Sequence, residues 1–185
     1  MDVILFSKIL YFVSIGVWLI PPIRQFRGKY FYFFLILALL DPISIGFRLL
    51  FKQSLPLGVY SYFSYFLLVS LLSVETYKKH LLLLVSISVL TFLLIFFGLN
   101  HSQNLLAIIL LHFGIFFIIL RKFITIYTLD GHIKVFYLFF IFYELTLIIK
   151  FLNVFFGFAD ATAFYYITSI VQIIFGLFFS IVREG

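Results

Sequence analysis

Six polar side chains interrupt long apolar runs in this sequence: Asp41, Glu144, His112, Gln172, Arg48 and Lys150. Two carboxyl groups, an imidazole and an amide can bind a small solute or a cation. Carboxyl groups held in low dielectric can also exchange protons near neutral pH. Burying a charge at the centre of a bilayer costs about 2.5–3.5 kcal/mol on insertion scales, so such groups face a bundle interior. At about 1.5 Å of rise per residue, Asp41 sits roughly 16 Å into its apolar run. Glu144, His112 and Gln172 fall at similar depths, and Arg48 and Lys150 lie nearer one end. The expected arrangement is a mid-depth polar layer capped by two cations.

Each residue also has a plainer reading. Asp41 and Glu144 can pair across helices and fix packing, which adds little net stability but specifies arrangement. His112 can be a satisfied core histidine, and Gln172 an amide bonding between helices. Arg48 and Lys150 can reach outward along their own apolar stems. Pro42, directly after Asp41, removes a backbone donor and is the candidate hinge of its helix. No close pair of Asp41, His112 and Glu144 has ligand spacing, so neither a metal nor another cofactor is expected. The chain has no cysteine, which removes disulfides and thiolate chemistry.

The elements that must position these groups are helices. The 185 residues are 65% hydrophobic and 11% charged, with a mean hydropathy of +1.25. A soluble domain carries roughly 25% charged residues, so lipid must be the solvent for most of this surface. In lipid each backbone group must be satisfied within its own segment, and the runs lack the alternation of a barrel. Polar punctuation divides the chain into seven expected transmembrane helices, about 4–23, 30–51, 57–76, 81–99, 104–126, 133–156 and 161–182. The fold class is an all-α integral membrane bundle forming one polytopic domain. Lys8 and the absence of a small-residue cleavage site identify the first run as a retained helix rather than a signal peptide. The serines Ser61, Ser64, Ser70 and Ser73 recur at helical spacing and predict a close-packing seam.

Orientation follows from Lys and Arg. One side holds nine: Arg24, Arg27, Lys29, Lys78, Lys79, Arg121, Lys122, Lys134 and Arg183. The other holds four: Lys8, Arg48, Lys52 and Lys150. The positive-inside rule makes the first side cytoplasmic, with the N-terminus outside and the C-terminus inside a cell or inner membrane. The net charge of +6 is therefore explained without nucleic acid as a partner. The tail Arg183-Glu184-Gly185 predicts no output domain within this chain.

Asp41 with Arg48, and Glu144 with Lys150, sit at matching places in the second and sixth helices. This suggests two parallel three-helix units joined by an inverting helix, a 3+1+3 repeat of a kind known in transporters. The stretch Trp18-Leu-Ile-Pro21-Pro22-Ile-Arg24-Gln25-Phe26-Arg27-Gly28-Lys29 resembles the end of the first helix in PQ-loop and SWEET-type transporters. That resemblance implies seven helices in a three-one-three arrangement with the N-terminus outside. The fifth helix lacks the matching proline, and here the proline and glutamine are not adjacent.

P-loop, HExxH and GxSxG patterns are absent, and no lysine stands in the last helix for retinal. The leading expectation is transport of a small solute or ion through the midplane layer. The alternative is a non-catalytic membrane sensor or subunit, with a protein partner or second copy. The third is an intramembrane enzyme using the carboxyl groups and His112 as acid and base.

Overall fold

The computed structural model describes residues 3–184, so Gly185 of the tail lies outside the described residues. The elements are α1 (Val3–Trp18), α2 (Ile20–Arg24), α3 (Phe31–Phe51), α4 (Leu57–Ser70), α5 (Val74–Leu93), α6 (His101–Asp130), α7 (Val135–Phe156) and α8 (Ala161–Ile181). A π-helical turn, Leu94–Gly98, continues α5. No strand occurs among the described residues.

Local chemistry explains the boundaries. Pro21 and Pro22 cannot donate to the carbonyls of the preceding turn, so α1 ends at Trp18 and a new helix starts where proline is tolerated. The first apolar run is therefore two pieces rather than one helix through Ile23. The turn that follows is tight: Arg27 has φ 61, and a Cβ on Gly28 would meet the Gln25 carbonyl oxygen at 2.9 Å. Asn100 caps α6 through a reciprocal box with Gln103. Gly131 and Gly157, with φ 67 and 65, end α6 and α7 in the left-handed cap glycine allows. Asp160 accepts from the Ala163 amide to start α8.

Helix α6 runs past the expected 104–126 at both ends, because Asn100 and Gly131 supply its caps. Two further boundaries differ from the sequence reading for one reason. The α4 helix stops at Ser70 instead of continuing to Thr76, because Ser73 caps α5 by accepting from the Thr76 amide. Helix α5 consequently begins at Val74, ahead of Lys78 and Lys79, with one irregular residue, His80. Ser61 and Ser64 are buried in the expected seam against α6, whereas Ser73 is a cap and takes no part in it.

Among the described residues five segments are long and apolar enough to cross a membrane: Phe31–Phe51, Glu75–Gly98, His101–Asp130, Val135–Phe156 and Thr162–Ile181. The α4 helix has 14 residues, or about 21 Å, against roughly 30 Å of hydrocarbon. The α1 helix has 16 residues. Seven full spans are thus more than helix length alone supplies.

Six helices form a closed ring in the order α1, α3, α4, α6, α7, α8 and back to α1. The α5 helix lies outside it, bonded to α4 through Tyr62, Tyr65 and Tyr77. Inside the ring, Tyr30, Phe33, Phe34, Phe136, Phe140 and Phe179 form an aromatic plug with almost no exposed surface. Edge-to-face contacts such as Phe33–Phe140 at 4.8 Å hold it. Gln25 seals this end by donating to the Phe179 carbonyl of α8 and to the Val182 carbonyl just after it. The opposite end carries Lys52 and the α3–α4 turn.

Candidate functional site

Above the plug, all six ring helices line one cavity of about 290 Å³. At about 30 Å³ per water molecule, that is room for a small organic solute. Its base is Trp18 and Tyr143, whose rings lie 4.9 Å apart. It extends to Leu57 and Val154, and Val154 is 61% exposed, so the cavity reaches the molecular surface near the Lys52 end.

Four of the six polar residues singled out in the sequence share this cavity: Asp41 from α3, His112 from α6, Lys150 from α7 and Gln172 from α8. Asp41 and Lys150 stand near enough for their charges to interact but do not close into an ion pair. Neither side chain makes a hydrogen bond to another described residue. The α3 helix stays helical through Asp41-Pro42, where the missing proline N–H leaves the Ala38 carbonyl without its usual donor.

The other two residues are elsewhere. Glu144 lies behind the cavity wall, with no exposed surface, and Arg48 is exposed at the Lys52 end of α3. Glu144 Oε2 is 2.8 Å from His112 Nδ1, within the range of a charge-assisted bond. Its other oxygen, Oε1, is buried and finds no partner among the described residues. On its far side, His112 Nε2 lies 3.3 Å from Ser64 Oγ. The imidazole also stacks on Phe151 with centroids 5.6 Å apart. Ser64, His112 and Glu144 therefore make a continuous relay from the cavity wall into the α6–α7 interface.

In the sequence Ser64 reads only as a packing residue and Tyr60 as an interfacial-belt aromatic, and nothing singles out Tyr143, yet all three line the cavity. Ser64 was detectable only as a small residue on the serine seam. Its role depends on α4 packing against α6, and 48 residues separate it from His112. Among the described residues no three His, Cys, Asp or Glu side chains gather as a metal site. Comparison of the chain with protein-family models, with curated proteins and with solved structures gives no match.

Proposed function

We propose that this chain crosses the membrane seven times and carries a small solute through the cavity of the six-helix ring. The observation that carries the reading is a solute-sized cavity lined by Asp41, Lys150, His112 and Gln172 inside an otherwise apolar bundle. Polar groups placed so deep are costly in lipid and are ordinarily kept for a pathway. The ring order supports the 3+1+3 division. Exchanging α1, α3, α4 with α6, α7, α8 leaves the order of neighbours unchanged, and α5 stands outside as the linker. The basic residues favour an N-terminus outside and a C-terminus in the cytoplasm, so the cavity faces outward. In this reading α1 and α2 together make one pass, α4 is a short span, and Pro42 is the hinge. Opposite charges on facing walls, with apolar surface between them, suit a zwitterion bearing an apolar side chain.

The Ser64–His112–Glu144 order favours a second reading, acyl transfer, although the Ser64 hydroxyl donates to the Tyr60 carbonyl. It is the weaker one. Ser64 lies inside α4, where helical bonds occupy the backbone N–H groups that would stabilise an oxyanion. In the transport reading the relay is a proton-coupling element beside the solute.

The natural absence of cysteine supplies the test. Phe63→Cys and Leu147→Cys each place one thiol on the cavity wall. In proteoliposomes of sorted orientation, a membrane-impermeant methanethiosulfonate reagent is added to one side at a time. Transport expects labelling from both sides. Labelling from one side only would overturn it in favour of a sensor, and no labelling would mark the cavity as a packing void.

A further inference from the structure

A second cavity, of about 420 Å³, opens at the plug end between α6, α7 and the turn before α3. Its polar lining is dominated by Lys29, Arg121 and Lys122, with Thr125 and Tyr137; Ile118 and Ile126 supply apolar wall. The cations converge. The Lys122 ammonium lies 5.2 Å from the Tyr30 ring centroid, and that of Lys29 lies 6.0 Å from the same ring. The two lysines therefore repel each other, and Arg121 adds a third positive charge next to Lys122 in sequence. The nearby carboxylate is Glu184, which accepts from the Tyr137 hydroxyl. It offsets one of three charges. Lys122 is moreover half-buried and donates its ammonium to the Leu71 carbonyl.

Like charges held together in a partly desolvated pocket are unfavourable unless an anion joins them. Basic pockets between membrane helices are a recurring place for anionic headgroups. Arginine can grip a phosphate with two donors, and lysine contributes point charge. Phe117, one turn from Arg121 along α6 on the same face, is exposed, a surface suited to an acyl chain.

We infer that Lys29, Arg121 and Lys122 form a binding site for a phosphate-bearing anion, the headgroup of an acidic phospholipid or free phosphate. The site is separate from the solute cavity, on the far side of the aromatic plug, and does not depend on what that cavity does.

The test uses the full chain, delipidated in neutral detergent. Binding is read by native mass spectrometry and by the thermal transition of Trp18 fluorescence. Dioleoylphosphatidylglycerol, dioleoylphosphatidylcholine and inorganic phosphate are compared at matched ionic strength. Phosphatidylglycerol is expected to be retained and to raise the transition, while phosphatidylcholine does neither. Lys29→Gln with Arg121→Gln should weaken phosphatidylglycerol binding roughly thirtyfold. Lys78→Gln with Lys79→Gln, which alters basic residues outside the pocket, should leave it unchanged. A response to inorganic phosphate alone supports the site and names free phosphate as its ligand. A response to phosphatidylglycerol alone supports it and names the lipid. Equal behaviour of phosphatidylglycerol and phosphatidylcholine, with no effect of phosphate, would overturn the inference. So would full binding by the Lys29/Arg121 double variant, or equal weakening in the Lys78/Lys79 control.

Discussion

The His112–Glu144 contact offers a sharp quantitative test, because two kinds of bond between helices differ in size. Neutral hydrogen bonds between helices in lipid have coupling energies averaging about 0.6 kcal/mol, with a ceiling near 1.7. Removing one partner of a buried ion pair costs about 3–5 kcal/mol, because the remaining charge is left uncompensated. Here the bond is 2.8 Å long, Glu144 is 0% exposed and His112 is 2% exposed, so solvent screening is minimal. His112→Phe should therefore cost about 3–5 kcal/mol by stranding a carboxylate in the α6–α7 interface. Glu144→Leu should cost less, about 1–3 kcal/mol, since the imidazole that loses one bond can keep Ser64. The double variant replaces the pair by apolar groups of similar size, and should be less destabilised than the two single changes combined. The expected coupling energy is about 2 kcal/mol or more. The assay is reversible unfolding from dodecylmaltoside into SDS, followed by the fluorescence of Trp18. This is the only tryptophan, and it is buried against Tyr143, the neighbour of Glu144. A coupling below about 1.7 kcal/mol would refute the ion-pair reasoning and make the contact an ordinary neutral bond.

Other outcomes follow from the same geometry. A Cβ on Gly176 would meet Val17 Cγ1 at 2.7 Å and the Trp18 ring at 3.3 Å, so Gly176→Ala must part α1 from α8. It should cost about 1–3 kcal/mol and shift Trp18 emission, measured in the same unfolding assay. Gln25, 1% exposed, donates to two carbonyls at the end of α8; Gln25→Met keeps its bulk and should cost about 1–3 kcal/mol in thermal unfolding. If the proposed pathway carries a zwitterion, with L-leucine as the probe, Asp41→Asn should lower proteoliposome uptake about tenfold or more while the protein stays monodisperse. Unchanged uptake would remove Asp41 from the pathway.

Much of the architecture is legible in the sequence because lipid leaves the chain few options. The composition demands helices, and Gly157 and Asp160 mark helix ends at the expected places through local backbone chemistry that needs no partner, whereas Pro21-Pro22, Asn100 and Gly131 set ends that hydropathy alone misplaces. The same logic flags Asp41, Glu144, His112, Gln172 and Lys150, since a polar group deep in an apolar run is conspicuous wherever the helix packs. Helix extent was less legible between Ser70 and Val74, because the Ser73 cap that starts α5 sits inside one continuous apolar run.

What only the tertiary structure decided is which of these groups meet. Depth along a helix says nothing about its rotation or its neighbour. Asp41 and Lys150 share a cavity because α3 and α7 face each other across the ring. Glu144 sits behind the wall because its side of α7 packs on α6, and Arg48 remains outside. Ser64 joins His112 only because the ring order sets α4 against α6, while α5, which lies between them in the chain, is excluded from the ring. Hydropathy sets which residues leave water. The packing of one helix face on another sets which of them touch.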